Sequence, residues 1–422
     1  MSLNKRDFLK LSIAGSASLA FNGALKANEP DILESITGDI TPISVAERKA
    51  RIAKLQDNMQ AAGIAALIIE PGSSMVYFSG VRWWRSERLT CLVIPAEGDI
   101  AVVTPYFEEP SVRESLTFGD DVRPWHEHES PSRLVANIIH DRGFGKGKIA
   151  FEGTVRFFVQ NDIMHSLGSD YEMVSGRAVV NSCRMYKSKH EIALMRKASD
   201  VTLRAYAHTH SKLEVGMSKD DISAIMTAAQ TALGGATEFA MALIGEASAY
   251  PHGSRKTKTL AEGDILLMDC GAEVHDYESD ISRTFVIGEP NKKQRDVWNT
   301  VRKGQQIAFE TAQIGAEAGT VDDAVRAYYE SLGYGPGYKT PGLSHRTGHG
   351  IGMDGHELVN FVHGESTQLA SGMCFSNEPG IYIYGEFGVR LEDCIYMTDS
   401  GPKWFTEPPA SLEDPIGRMG GI

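Results

Sequence analysis

The sequence is poor in cysteine. Its 422 residues include five cysteines, an odd number, and no two of them are spaced as a CxxC pair. This argues against a disulfide framework and against a cysteine-rich zinc ribbon. Three of the five lie in strongly apolar, strand-like runs, where we expect small buried hydrophobic residues: Cys270, Cys374 and Cys394.

The chain also lacks an excess of basic residues. Lysine and arginine number 42 against 55 aspartate and glutamate residues, and basic residues cluster only at the extreme N-terminus. The formal net charge of −13 argues against a nucleic-acid partner and favours small or neutral ligands. With 42% hydrophobic residues, a chain of this length is expected to form two or three globular domains.

No apolar run indicates stable membrane insertion. The stretch LKLSIAGSASLAF follows Lys5 and Arg6 and is too short to span a bilayer, and small residues follow at Ala24 and Ala27. We therefore read residues 1–27 as a targeting segment. The string NKRDFLK resembles the twin-arginine export signal, with Lys5 in place of the first arginine, which implies a periplasmic protein; without a functional signal the protein is cytoplasmic.

Helical and strand-like segments alternate in two unequal parts, with a boundary near Tyr186. A capping box at Ser44–Glu47 opens a helix expected to end near Ala62, and Pro131 opens another. A second capping box, Ser188–Glu191, opens a long helix in the second part. Four strand-like runs lie in the first part, at residues 65–70, 89–96, 99–104 and 148–153.

Two carboxylates face each other in the stretch MDCGAEVHDYESDISRTF. If residues 274 and 275 form a two-residue hairpin loop, Asp269 pairs with Asp280, with Cβ atoms roughly 5 Å apart. Like charges at that distance repel unless a cation or a proton lies between them. Either aspartate alone would be read as an ordinary turn residue.

A second facing pair lies near the C-terminus. A hairpin centred on Gly385 places Glu378 opposite Glu392. Between the two hairpins the glycine-rich HRTGHGIGMDGHE supplies three histidines: His345, His349 and His356. Four carboxylates and a histidine suit two divalent metal ions, and the oxygen-rich set favours Mn²⁺, with Fe²⁺, Co²⁺ or Zn²⁺ as alternatives.

The ordered motifs DxGaxxxxYxSDixRTF, HxxGHGxGxxxHE, NEPGxY and GxRxED resemble those of the pita-bread metalloenzymes, which include prolidase, proline-specific aminopeptidase, methionine aminopeptidase and creatinase. The segment YFSG at residues 77–80 is similar to the creatinase/prolidase type of N-terminal domain. The resemblance implies an α/β (α+β) fold with a creatinase-like N-terminal domain and a C-terminal pita-bread domain. The expected boundaries are 1–27 export signal, 28–43 linker, 44–186 N-terminal domain, 187–410 catalytic domain and 411–422 tail.

The resemblance also implies roles for individual residues. Asp269 would bind one metal, Asp280 and Glu392 would bridge both, and His349 and Glu378 would bind the other. A bridging hydroxide would attack the carbonyl before proline, with Glu378 as general base. The remaining roles implied are His252 and His356 for positioning the substrate, His345 for lining the proline pocket, and Arg390 for substrate binding and as a charge partner of the ligands.

The resemblance leaves the substrate open between dipeptides and longer peptides. Some prolidases use an arginine just upstream of NEPG to bind the free carboxylate, and no lysine or arginine lies between His356 and Arg390 here. This absence favours an Xaa-Pro aminopeptidase. Arg82 and Arg85 in the N-terminal part could compensate, because in this branch that domain often caps the active site of the other protomer in a homodimer.

Two other classes of function remain open alongside the Xaa-Pro peptidase. One is a non-peptidase hydrolase or lyase on the same scaffold, acting on creatine-like amidines or on dimethylsulfoniopropionate. The other is an inactive peptide-binding module. The inactive module is disfavoured because it would have no reason to retain all five ligand positions.

Overall fold

The computed structural model describes residues 33–256 and 258–421. The predicted export segment, residues 1–27, and residues 28–32 of the predicted linker lie outside the described residues. Among the described residues, no helix is both long enough and apolar enough to cross a membrane.

The first part of the chain folds around a six-stranded mixed sheet. Its strands are β1 (Ile64–Ile69), β2 (Cys91–Pro95), β3 (Ala101–Pro105), β4 (Val122–Trp125), β5 (Gly147–Phe151) and β6 (Tyr171–Ser175). Its helices are α1 (Val45–Ala61), α2 (Ser73–Ser79), α3 (Glu109–Ser115), α4 (Pro131–Asp141), α5 (Phe157–Leu167) and α6 (Arg177–Arg184). The spatial order is β4-β3-β2-β1-β5-β6, with β1 antiparallel to β2 and parallel to β5.

The predicted elements of this part are confirmed. Strands β1, β2 and β3 are buried along their whole length, which explains why their sequences are continuously apolar rather than alternating. The capping box before α1 is formed: Glu47 N–H donates to Ser44 Oγ at 3.2 Å and Ser44 N–H donates to the Glu47 carboxylate at 2.8 Å. Helix α4 begins at Pro131 after the cap Ser130.

The second part, as far as the structure describes it, contains a four-stranded sheet, a five-stranded sheet and two two-stranded ribbons, together with four helices. Its helices are α7 (Lys189–Ser211), α8 (Lys219–Ala232), α9 (Lys292–Thr311) and α10 (Gly319–Ser331). Its strands are β7 (Ala236–Ile244), β8 (Ile265–Val274), β9 (Tyr277–Glu278), β10 (Ile281–Val286), β11 (Gly348–Gly350), β12 (Glu357–Phe361), β13 (Cys374–Asn377), β14 (Gly380–Ile383), β15 (Phe387–Arg390), β16 (Asp393–Thr398), β17 (Gly401–Trp404), β18 (Thr406–Glu407) and β19 (Arg418–Met419).

The helices cover one side of each sheet, and the sheets meet along β10. Helices α7 and α8 pack on the sheet β10-β8-β7, whereas α9 and α10 contact the sheet β12-β11-β13-β16-β17 and the ribbon β14-β15. Strand β10 bonds to the C-terminal segment, since Thr284 Oγ1 donates to Arg390 O at 2.8 Å and Glu392 N–H donates to Ser282 O at 3.1 Å. Residues carried by the two sheets therefore converge at this seam.

The first hairpin has a different register from the one predicted. Strands β8 and β9 turn at His275 and Asp276, which both have positive φ (50° and 76°), rather than at residues 274 and 275. The ladder consequently pairs Asp269 with Ser282 instead of with Asp280. The predicted pairing was wrong because the left-handed turn starts one residue later, at a position where aspartate tolerates positive φ.

The second hairpin has the predicted register. Strands β14 and β15 pair Gly380 with Arg390 around a turn at Gly385 (φ 83°). The same register continues in β13 and β16, where Asn377 pairs with Asp393. Glu378 and Glu392 lie between these two ladders at opposite positions, as the sequence predicted.

The five cysteines are free and buried. Cys270, Cys374 and Cys394 are each at most 2% exposed, which confirms that they serve as small core residues. Residues beyond 410, predicted as a tail, include β19, which pairs with β18.

Candidate metal centre

The carboxylates from both hairpins and one histidine meet in a cavity of about 630 Å³. Atoms of Asp280, His349 and Glu392 lie within 4.8 Å of one another, and all three residues are buried. The Nε2 atom of His349 lies 3.2 Å from Glu378 Oε1 and 3.7 Å from Asp280 Oδ2. Asp269, on β8, lines the same cavity. The structure thus brings together the five residues named as ligands from the sequence.

The cluster has too few protein cations for its carboxylates. Burial raises the pKa of Asp280 and of Glu392 well above the ordinary range, and the neighbouring carboxylates raise it further. Burial alone would also raise the pKa of Glu378, but the hydrogen bond and charge of His349 lower it to about 2. Among the described residues, Asp280 Oδ1 and Glu392 Oε1 are buried without a hydrogen-bond partner. Unpartnered carboxylate oxygens in an oxygen-rich, histidine-containing set fit divalent metal ions.

A serine that the sequence analysis did not single out links the ligands. The Oγ atom of Ser282 lies 2.8 Å from Asp269 Oδ1 and 2.7 Å from Glu392 Oε2. Arg390 donates from Nε to Ser282 Oγ at 2.8 Å and from Nη2 to Asp269 Oδ2 at 2.6 Å. Ser282 belongs to the motif SDixRTF, and the correct hairpin register would have placed it opposite Asp269.

Two of the predicted histidines have defined neighbours. Nε2 of His345 lies 2.7 Å from the Tyr382 hydroxyl and Nδ1 lies 2.7 Å from Arg346 O, so the ring is held from both sides. The ring of His356 lies 4.1 Å from that of His349, centroid to centroid. Burial, followed by the charge of His349, lowers the pKa of His356 to about 4.

His252 follows Pro251 in the loop after β7 and is exposed on the wall of the same cavity. The site therefore has histidines on more than one side of the ligand cluster.

Arg390 and Arg346 both line the cavity but differ in their contacts. The guanidinium of Arg390 is buried and bonds to Asp269, Ser282 and Tyr382. Arg346 is half-buried, and among the described residues no acceptor contacts its guanidinium. Arg346 was not predicted as a carboxylate-binding residue, because the arginine used by some prolidases lies after the position of His356.

Arg82 and Arg85 lie away from the cavity of their own chain. Arg82 pairs with Asp276 in the β8–β9 turn, and Arg85 donates to the Thr154 hydroxyl. Neither contact brings a guanidinium to the ligand cluster. Their expected reach into the cavity of a second protomer stays a prediction.

Comparisons with known proteins agree with this architecture. Residues 193–399 match the model for Metallopeptidase family M24, and residues 51–186 match the Creatinase/Prolidase N-terminal domain. The chain is 34% identical to "Probable dipeptidase PepE" of Mycobacterium tuberculosis, over 81% of this chain and 89% of the relative. It is 32% identical to "Xaa-Pro dipeptidase" of Pyrococcus furiosus, over 86% of this chain and 99% of the relative. The crystal structure of dipeptidase PepE from Mycobacterium ulcerans superimposes with a TM-score of 0.81 at 31% identity, over 88% of this chain and 99% of that chain.

Proposed function

Since this chain belongs to metallopeptidase family M24, with the creatinase-like N-terminal domain and pita-bread catalytic domain expected from its sequence, we propose that it is a dipeptidase that hydrolyses Xaa-Pro dipeptides. The relatives named as dipeptidases cover most of the chain and support this substrate class. The observation that carries the choice of dipeptides over longer peptides is the unpartnered guanidinium of Arg346 on the cavity that holds the ligand cluster.

The five clustered residues would hold two divalent metal ions, with Mn²⁺ as the proposed metal: Asp269, Asp280, His349, Glu378 and Glu392. When bound, such ions lower the pKa of a water molecule and polarise the scissile carbonyl. The chain's own contribution is to hold the ligands in place. Arg390 and Ser282 fix the carboxylates of Asp269 and Glu392 through the hydrogen bonds described above.

Glu378 is proposed as the general base. Its carboxylate lines the cavity 3.2 Å from His349 Nε2, where it would accept a proton from the attacking water. His252 and His356 are proposed to donate hydrogen bonds to the substrate carbonyl as negative charge develops on its oxygen. His345, held by Tyr382, is proposed to line the proline pocket.

Arg346 is proposed to bind the C-terminal carboxylate of the dipeptide. A guanidinium binds a carboxylate through two parallel hydrogen bonds, which gives both strength and direction. Arg390 is committed to Asp269 and the neighbouring hydroxyls, so Arg346 is the arginine of this cavity that is available to a ligand. The proline of an Xaa-Pro dipeptide carries a free carboxylate. In a longer peptide that begins with Xaa-Pro, the same carboxyl group forms a peptide bond.

The test compares release of the first residue from Ala-Pro, Ala-Pro amide and Ala-Pro-Ala, with Mn²⁺ and with a chelator. We expect metal-dependent hydrolysis of Ala-Pro and at least tenfold weaker hydrolysis of the other two. Arg346→Gln should reduce kcat/KM for Ala-Pro and leave the small activity on the amide unchanged. Arg133→Gln, at an exposed position of α4, is the matched control. Faster hydrolysis of Ala-Pro-Ala would make the enzyme an aminopeptidase and remove the role of Arg346.

We also propose that the protein is exported and that it forms a homodimer. The twin-arginine-like segment supports a periplasmic location, which cell fractionation with and without residues 1–27 tests. The N-terminal arginines support a homodimer, which light scattering of the purified protein tests.

A further inference from the structure

Glu278 is an acidic side chain on the cavity wall. Glu278, on β9, is only 7% exposed and lines the cavity, and among the described residues no donor or cationic group contacts its carboxylate. Its Oε2 lies close to Gly355, because a Cβ atom at position 355 would be only 3.0 Å from this oxygen. Glu278, at the end of β9, and Asp280, between β9 and β10, both line this cavity. Glu278 therefore faces the substrate space beside the ligand cluster.

Three acidic residues near Glu278 have cationic partners, whereas Glu273, opposite Glu278 in the β8–β9 ladder, accepts a hydrogen bond from Asp276 N–H and among the described residues has no cationic partner. Asp354 accepts hydrogen bonds from Ser73 and Arg184, and Glu357 accepts from Arg184 and from Lys187 at 2.9 Å. Asp276 pairs with Arg82. A nearly buried carboxylate without a counter-charge is costly, and the chain supplies cations to Asp276, Asp354 and Glu357 but, among the described residues, none to Glu278. The partner of Glu278 is thus expected from outside the chain.

A second glutamate reaches the same wall through an irregularity in β7. The β7–β8 ladder pairs Thr237 with Ala272 and Phe239 with Gly271, so Glu238 is an extra residue in a bulge. Bulges redirect side chains, and both Glu238 and Phe239 consequently line the cavity. Glu238 is exposed and, within residues 33–256 and 258–421, also has no hydrogen-bond or ion-pair partner on its carboxylate.

The wall beside these carboxylates is apolar. Phe239 and Met241 lie two positions apart on β7 and line the cavity with Glu238 and Glu278. Lysine and arginine side chains place their methylene groups along apolar surface and their charged ends at polar groups. Phe239 and Met241 would contact the methylene groups of a lysine or arginine side chain. Glu238 and Glu278 would contact its charged end.

We propose that Glu278 and Glu238 form a subsite for a cationic side chain on the first residue of the substrate, so that the enzyme prefers Lys-Pro and Arg-Pro over dipeptides with an uncharged first residue. This specificity rests on the proposed dipeptidase function and adds a substrate class to it. The carboxylates select the first residue, whereas Arg346 binds the other end of the dipeptide.

The experiment compares Lys-Pro with norleucine-Pro, which has the same chain length without the ammonium group. In the wild type, kcat/KM should be about ten- to a hundredfold higher for Lys-Pro, which is the size expected for hydrogen bonds to charged groups. Glu278→Gln should reduce this ratio to about threefold or less, and Glu238→Gln should reduce it partly. Glu172→Gln, at an exposed position of β6, should leave the ratio unchanged.

A charge reversal gives an independent check. Glu278→Lys should favour Glu-Pro over norleucine-Pro, and this readout is a ratio of two substrates that does not depend on the total activity of the variant. A wild-type ratio near one would overturn the subsite. An equal loss for Lys-Pro and norleucine-Pro in Glu278→Gln would also overturn it, because the carboxylates would then bind the α-ammonium group common to both.

Failure of the dipeptidase proposal is recognised separately. If norleucine-Pro is hydrolysed without any preference for Lys-Pro, the dipeptidase function stands and the subsite is wrong. If no Xaa-Pro dipeptide is hydrolysed, the dipeptidase proposal fails, and titration calorimetry of the manganese-loaded protein with Lys-Pro, norleucine-Pro, Lys-Ala and norleucine-Ala decides the subsite. At least tenfold tighter binding of the lysyl ligands would support it, and equal affinities would reject it.

Discussion

Glu392 and Asp393 are neighbours in the chain but lie in opposite environments. Asp393 is fully buried and accepts hydrogen bonds from Arg283 at 2.7 Å, Gln305 at 2.9 Å and Thr406 at 2.6 Å. Glu392 is also buried, but its Oε1 has no partner among the described residues. Adjacent side chains at a strand end point to opposite faces, which places Asp393 in the core and Glu392 on the cavity.

The difference separates a structural carboxylate from a ligand carboxylate. The charge of Asp393 is balanced by Arg283, which is itself fully buried. Burial raises the pKa of Glu392 most, and the negative charges of Asp280, Glu378 and Asp269 raise it further. Burial alone therefore does not identify a functional acid; the presence or absence of protein donors does.

Loss of the ligand carboxylate should have the largest effect on activity. Glu392→Gln removes a charge that a bound metal would need, so kcat/KM should fall roughly a thousandfold or more, since metal ions supply several kcal/mol of transition-state stabilisation. The metal-free variant should unfold at the same or a higher denaturant concentration than metal-free wild type, because repulsion is relieved. Metal content and chelated denaturation curves measure both effects. A variant with full activity would show that Glu392 is not a ligand.

Loss of the structural carboxylate should instead act on stability. Asp393→Asn leaves the Arg283 guanidinium buried with an uncharged neighbour, which should cost about 3–5 kcal/mol of unfolding free energy with or without metal. Denaturant unfolding of the chelated protein measures this. An equal loss of stability in Glu392→Gln would remove the distinction between the two acids.

Ser282 connects the two environments and should have an intermediate effect. Its side chain contacts Asp269 and Glu392, whereas its carbonyl accepts from Arg283 at 3.0 Å. Ser282→Ala keeps the backbone contact and removes the hydroxyl, so metal affinity should fall about ten- to a hundredfold with little change in metal-free stability. Metal titration measures the affinity, and Ser211→Ala, at the exposed end of α7, is the control. Unchanged affinity would show that Arg390 alone positions the ligands.

The smallest effect concerns pH. The folded-state pKa of Glu392 is raised above its unfolded value of about 4.3, so the folded protein binds the proton more tightly. Protonation of Glu392 should therefore raise the free energy of unfolding of the metal-free protein as the pH falls. The gain begins above the pKa of Glu392 in the folded protein and is complete near its pKa in the unfolded protein. Unfolding of chelated protein at several pH values should show a shallower gain in Glu392→Gln than in wild type. Identical slopes would contradict the raised pKa.

The ligand set was predictable because its residue types and order are local properties of the chain. The glycine at position 385 defines the second hairpin, and the register that follows from it places Glu378 opposite Glu392. The register of the first hairpin could not be predicted in the same way, because residue type alone does not fix which two residues form the turn. The turn residues need positive φ, and their position also depends on the twist of the flanking strands. Asp269 and Asp280 both line the cavity despite that error.

The sequence by itself determined the strands and helix caps of the first part, because these depend on periodicity, turn residues and short-range hydrogen bonds. It determined the five candidate ligands through the family motifs to which they belong. Only the tertiary structure decided which charged groups are paired. Among the described residues, Arg346 and Glu278 lack partners. Arg390 in contrast pairs with Asp269, 121 positions away, and Glu357 pairs with Lys187 and Arg184, 170 and 173 positions away. Pairing between residues so far apart depends on how the sheets and domains pack, which no local pattern records.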